Sequence, residues 1–188
     1  MLKLYLYIRS FIRHRILCID ERSQLEIAIS NGLKVGENCT VMGECIIDPG
    51  HCWLIEIGDR VTLAPRVHVL AHDASTKRSL GYTALGRVKI GSDVFVGAGT
   101  IILPNVEIGD HVIIGAGSVV SHNIPADSVA VGNPARVIGS YNGYIQKRKR
   151  QMEKASCYDY SYTIGQITPE KKAEMILSVE EKGIGFVQ

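Results

Sequence analysis

A chain of 188 residues, 46% of them apolar and with a formal net charge of +2, has material for one continuous core and no excess of either sign. That balance excludes the concentrated basic face of a nucleic-acid binder, so no nucleic-acid partner is expected. Five cysteines, an odd number without close pairing, exclude a disulfide framework or a zinc knuckle and suit a reducing cytoplasm.

Residues 1–34 read as a helical segment. Leu2, Leu4, Tyr5, Leu6, Ile8, Phe11, Ile12, Ile16 and Leu17 are interleaved with Lys3, Arg9, Arg13 and Arg15, too much charge for a bilayer span. Without a long apolar run and a small-residue cleavage site, no signal peptide is expected. Packing against the open end of the domain that follows is the favoured placement. The other is a helix of residues 1–30 lying on the inner face of a membrane, its basic side chains reaching the headgroups. Asn31-Gly32 then turns the chain.

From Val35 a period of six takes over. Val35, Val41 and Ile47 keep it, the phase shifts around Trp53, and Ile57, Leu63 and Val69 resume it. After residues 71–87 come Ile90, Val96, Ile102, Ile108, Ile114 and Val120, with Gly91, Gly97, Gly109 and Gly115 following four of them. Four positions after each aliphatic residue stands a small or β-branched one: Val94, Thr100, Val106, Val112, Ser118 and Ile124, with Cys39 and Cys45 in the same phase earlier. A period of six is neither helical nor strand-like, so it belongs to a larger unit in which every sixth side chain enters one core. Three hexads close a triangular coil, and stacked coils pair their strands in parallel. Glycine or a turn former is expected at the corners. Spacing does not fix the hand of the coil; parallel crossovers are in general right-handed.

Two stretches break the period and carry polar groups. The run A-H-D-A-S-T-K-R-S-L-G-Y-T-A-L-G-R is read as a loop extruded from a coil, with His72 at its anchored start after Val67 and Val69. A neutral imidazole there suits removal of a proton from a hydroxyl. Asp73 could orient it or meet an acceptor, although adjacent residues on an extended chain point apart. In I-I-D-P-G-H-C-W, Asp48 and His51 are possible acceptor contacts or simply turn formers. His68 is read as structural or acceptor-facing, His111 and His122 as outward surface residues, and His14 has no evident partner.

Residues 139–188 leave the repeat. The basic run Lys147-Arg148-Lys149-Arg150 reads as a solvated segment. Thr168-Pro169 and Gly183 bound a predicted helix over about 169–182. Met175, Ile176 and Val179 are its expected apolar side.

The stretch from Val88 to Ile138, with I-G-S-D-V-F-V-G-A-G-T-I-I-L-P-N-V-E-I-G-D-H-V-I-I-G-A-G-S-V-V and then V-G-N-P-A-R-V-I, resembles the hexapeptide-repeat acyltransferases, in particular the maltose, galactoside and nodulation sugar O-acetyltransferase branch. The resemblance covers about residues 35–138 and implies a mainly β fold, a left-handed parallel β-helix. It implies acetyl-coenzyme A as acyl donor, no metal, and a homotrimer with active sites between subunits. His72 corresponds to the general base and the backbone N–H of Ala98 to the oxyanion donor. Ala116 corresponds to a contact with the pantetheine arm, and Pro134 and Arg136 to the phosphate end, where Lys149 or Arg150 could assist. Phe95 stands where many members carry tryptophan, and Ser121-His122-Asn123 replaces a more usual Thr-Lys-Asp. The implied function is O-acetylation of a saccharide hydroxyl by direct transfer in a ternary complex. Rival readings are an amino-sugar or nucleotide-sugar N-acetyltransferase and, less favoured for want of a long helical N-terminal domain, a serine acetyltransferase. From other classes come a γ-type carbonic anhydrase, for which His51, His68 and His72 are the only conceivable ligands, and a non-catalytic trimeric scaffold.

Overall fold

The computed structural model describes residues 24–188. The expected capping or membrane-surface helix therefore falls, except for its last residues, outside the described residues. The chain divides into two compact units at residues 138 and 139.

The first unit begins with helix α1 (Gln24–Ser30), which buries Ala28 and packs Leu25 against the core. It ends where the Leu33 N–H returns to the Ala28 carbonyl at 3.0 Å and Gly32 takes φ +101°. Short strands then follow one another around a coil: β1 (Lys34–Val35), β2 (Thr40–Val41), β3 (Ile46–Ile47), β4 (Ile55–Ile57), β5 (Thr62–Leu63) and β6 (His68–Val69). After a hairpin, β7 (His72–Asp73) and β8 (Ala84–Leu85), come β9 (Val88–Ile90), β10 (Phe95–Val96), β11 (Ile101–Ile102), β12 (Val106–Ile108), β13 (Ile113–Ile114), β14 (Val119–Val120), β15 (Ser128–Val131) and β16 (Arg136–Ser140). They form three sheets, in the orders β1-β4-β9-β12, β2-β5-β10-β13-β15-β16 and β3-β6-β11-β14. Coil strands of two or three residues survive because each bonds in parallel to a neighbouring coil, and those inside a sheet to the coils on both sides.

The hexad positions fill the interior. Ile57, Leu63, Val69, Ile90, Val96, Ile102, Ile108, Ile114 and Val120 are all buried, as are the second-phase residues from Val94 to Ile124. Two of the latter are polar and satisfied locally: Thr100 and Ser118 both donate to the Gly115 carbonyl, at 3.2 and 2.6 Å. Each full-sized aliphatic side chain withdrawn from water contributes about 1.5–3 kcal/mol.

The corners correct one expectation. The glycines after the aliphatic positions do not supply left-handed backbone; they let coils stack. A Cβ on Gly97 would stand 2.4 Å from the Ala116 nitrogen, and one on Gly58 2.8 Å from the Gly91 carbonyl. Left-handed backbone falls two residues later, three after the aliphatic position: Asn38, Glu44, Arg60, Arg66, Asp93, Gly99, Asn105, His111, Gly117 and Asp127 have φ between +51° and +69°.

Register locates the two interruptions. Phe95 pairs with Ile113, a coil of 18 residues; Thr40 pairs with Thr62, and Thr62 with Phe95, coils of 22 and 33 residues. Both insertions leave the coil at the corner after the third sheet, one following Ile47 and the other following Val69. The first folds as a 3-10 turn, Cys52–Leu54. The second is an antiparallel hairpin, with His72 opposite Leu85, and a short helix α2 (Lys77–Leu80) at its tip.

The second unit holds α3 (Tyr141–Met152), β17 (Ser156–Tyr158), α4 (Pro169–Lys182) and β18 (Gly185–Val187). Ser140 caps α3, accepting from the Gly143 N–H at 3.1 Å, so the basic run is helical, and Arg148 donates to Tyr144 and Gln151. Thr168 caps α4, and Gly183 ends it at φ +74°. Strands β17 and β18 pair in parallel around α4. Of the expected apolar side of α4, only Met175 is partly covered, while Ile176 and Val179 are exposed.

Candidate active site

Stacking the two insertions at one corner brings together residues far apart in sequence. The Asp48 N–H donates to the Val69 carbonyl at 2.9 Å, which anchors the first insertion on the coil below the hairpin. The Asp48 side chain, 0% exposed, is then surrounded by donors. Its Oδ1 accepts from the N–H groups of Gly50 and His51, both at 3.0 Å. Its Oδ2 accepts from the Ala71 N–H at 2.8 Å and faces His72 Nδ1 at 2.5 Å. Burial pushes the Asp48 carboxyl up, but the bonds from Ala71, His72 and Gly50, with the charge of the ring, hold it below the ordinary carboxylate value. An ionised Asp48 can only accept, so Nδ1 of His72 is the donor in this pair and Nε2 is the ring nitrogen directed away from the carboxylate. The His72 side chain remains 33% exposed, open to a substrate.

This geometry changes two sequence-based roles. Asp48, expected at the acceptor, has its carboxylate buried and fully engaged, so it positions His72 instead. Asp73, expected as a possible orienting group, is exposed and accepts from the Ser75 N–H at 2.8 Å. His51 does lie at the site: its ring centroid is 5.1 Å from that of His72 and 5.3 Å from that of Trp53.

The proposed ligand set His51, His68 and His72 does not assemble. The cluster within 4.8 Å is Asp48, His51 and His72, while His68 belongs to β6, opposite Ile46 and Ile101. Asp48 in that cluster already satisfies three backbone N–H groups and the ring, so the donor set does not fit the three-histidine requirement of the carbonic-anhydrase reading.

The residues assigned to the acyl donor occupy other places. Phe95 is exposed on β10. Ala98 follows it at the corner between the second and third sheets, where its carbonyl accepts from the Gly117 N–H at 2.8 Å, and Ala116 occupies the same corner one coil on. His72 stands at the next corner, after the third sheet. One chain therefore does not place the His72 ring and the Ala98 amide on the same edge of the coil. Pro134 and Arg136 are exposed after β15, and the Arg136 guanidinium donates to the Ala135 carbonyl at 3.0 Å. His111 faces Asp127 and Asp93 at 3.4 and 3.7 Å, and His122 meets Ser121; both lie on the surface.

Sequence reading missed the Asp48–His72 pair, although a signal was present. Ile47 and Val69 each end the third hexad of a coil, so the irregular stretches that follow them had to emerge at one corner.

A model of the bacterial transferase hexapeptide family (six repeats) matches residues 87–122. Protein CapG of Staphylococcus aureus is 38% identical over 121 residues, which are 62% of this chain and 70% of that protein. The chain belongs to the hexapeptide-repeat transferases, and its coils are those of the left-handed β-helix acetyltransferases. Among individual relatives, a probable serine acetyltransferase 5 of Oryza sativa subsp. japonica is 43% identical over 99 residues, 52% of this chain but 28% of that protein. The crystal structure of a maltose O-acetyltransferase from Clostridium difficile 630 superposes with a TM-score of 0.53 and 46% identity, covering 58% of this chain and 59% of that one. A hexapeptide-repeat-containing acetyltransferase from Vibrio cholerae O1 biovar eltor, solved in complex with acetyl coenzyme A, gives 0.53 and 26%, covering 58% and 61%. The chain thus spans less than two thirds of the rice relative and of either solved neighbour.

Proposed function

We propose that this protein is an acetyl-coenzyme A-dependent O-acetyltransferase acting on a saccharide hydroxyl, with His72 as general base. The observation that carries this reading is the Asp48–His72 pair, a one-third exposed imidazole whose inner nitrogen is held by a buried, ionised carboxylate. Acetyl-coenzyme A, bound in the V. cholerae neighbour, supports the choice of donor, and maltose O-acetyltransferase supports the choice of acceptor class.

The chemistry follows from the pair. Nε2 of His72 takes the proton of the acceptor hydroxyl as its oxygen bonds to the thioester carbonyl carbon. Asp48 stabilises the imidazolium that forms and fixes the ring's tautomer. The Ala98 N–H offers a preformed donor to the developing oxyanion. When the carbon–sulfur bond breaks, the thiolate leaves with the proton returned from Nε2. No covalent enzyme intermediate is needed.

Because Ala98 and His72 sit at different corners of one chain, a complete site takes the two edges from neighbouring copies, which fits a cyclic trimer. Phe95 and Ala116 then line the donor groove, with Arg136 directed to phosphate. The free thiols of Cys39, Cys45, Cys52 and Cys157 suit a reducing cytoplasm, where the proposal puts the enzyme. Among the described residues, no helix is long and apolar enough to cross a membrane.

The test is thiol release from acetyl-coenzyme A across a panel of neutral sugars, amino sugars and nucleotide sugars, with the acetylated product exposed to mild alkali. An alkali-labile product establishes an ester. An alkali-stable product would favour the N-acetyltransferase reading.

A further inference from the structure

The first insertion does more than supply Asp48. It ends in the 3-10 turn that carries Trp53, the only tryptophan of the chain, and leaves that side chain 55% exposed. The turn itself is firmly seated. The Leu54 N–H donates to the His51 carbonyl at 3.0 Å, and the buried Cys52 thiol faces the Ala28 carbonyl at 3.4 Å. Gly32 backs the tryptophan so closely that a Cβ there would stand 3.1 Å from Trp53 Cβ. A large aromatic is thus fixed at its base and left open to solvent, on the corner where His72 emerges.

His51 neighbours both other rings, Trp53 and His72, with centroid spacings of 5.3 and 5.1 Å. The cluster joins an apolar plane to the proposed base. We propose that Trp53 is the platform of the acceptor site and that its ligand is a pyranoside saccharide; this rests on the acyl-transfer reading above. A pyranose presents a face of C–H bonds, carrying partial positive charge, that matches the negative π-face of an indole. Its hydroxyls point outward around the rim, where one can meet His72 while others meet the polar edge of His51. A small amino acid has no such face and would leave the indole uncovered. Because the turn is already ordered, holding the sugar costs little conformational entropy at Trp53.

The lone tryptophan is also the probe. Wild-type protein is titrated with a set of methyl pyranosides and with L-serine while tryptophan emission is recorded. The acceptor KM, the coenzyme A affinity and the sedimentation of wild type, Trp53→Ala and Trp53→Phe are then compared. The expected result is saturable change in emission with at least one pyranoside and none with serine. Trp53→Ala then raises the acceptor KM about tenfold or more, and Trp53→Phe raises it less than about threefold. Coenzyme A affinity and oligomeric state stay unchanged.

No emission change with any pyranoside overturns the platform. So does a Trp53→Ala protein with wild-type acceptor KM, or one that dissociates, since Trp53 would then be a contact between copies. These failures leave acyl transfer standing if thiol release persists. Saturable binding at Trp53 without any thiol release would support the platform and overturn the transferase reading instead.

Discussion

On the proposed reading, Asp48 and His72 divide one task. The imidazole would exchange the proton while the carboxylate keeps its basic nitrogen outward, so replacing the carboxylate should impair chemistry more than binding. Asp48→Asn is expected to lower kcat about 100-fold while leaving the KM for acetyl-coenzyme A within about twofold, as steady-state kinetics would show. It should also cost about 1–3 kcal/mol of stability, because an amide nitrogen is forced against the donors that converge on Asp48. The sign with pH follows from the direction of the shift. A carboxyl whose folded pKa lies below its unfolded value contributes stability that is fully present above the unfolded value and is lost as pH falls through the folded one. Urea unfolding from neutrality to below about pH 4 should therefore show a steeper acid loss for wild type than for Asp48→Asn. An identical slope in the two proteins would mean that Asp48 is not held as described. Only the shared corner of the two insertions hinted at this pair in the sequence, because its members lie 24 positions apart and no local pattern joins them. His72 itself stood out through its position beside a break in the period and through the family resemblance.

At the scale of elements, the period of six showed through because hydrophobic phase is a local property, and buried positions such as Ile102 and Ile114 follow it without exception between Ile90 and Val120. The corners showed through less well. Their left-handed residues are as varied as Asn38, Glu44, Arg66 and His111, so composition hides them, while the conspicuous glycines serve stacking. The two roles can be separated by substitution. Gly97→Ala drives a Cβ into the Ala116 backbone and should destabilise the coil by about 1–3 kcal/mol. Glu44→Gly, at φ +62°, removes a left-handed strain and should stabilise by about 0.5–1 kcal/mol. Denaturant midpoints moving in opposite directions support this assignment, and a neutral Gly97→Ala would refute the stacking role. The second unit was half legible: Thr168 and Gly183 are local signals and mark α4, but the parallel pairing of Ser156–Tyr158 with Gly185–Val187 is long-range and left no local trace.

For the molecule as a whole, the proposed roles of Ala98, Ala116 and His72, which are separated along one chain, make the active site a property of the assembly. Mixing two dead proteins tests this. A His72→Ala chain retains the donor edge, and an Ala116→Trp chain retains the base edge but has its groove filled. Co-expression should return turnover that neither gives alone, whereas no recovery in verified mixed trimers would place the whole site within one chain. The central claim, that His72 is the base of an acyl transfer, is tested most directly by acceptor-dependent thiol release from acetyl-coenzyme A in wild-type and His72→Ala proteins, with coenzyme A binding measured alongside. The account predicts a fall of about 100- to 10,000-fold in kcat for the variant, with coenzyme A affinity unchanged. A His72→Ala protein that turns over at the wild-type rate would contradict it.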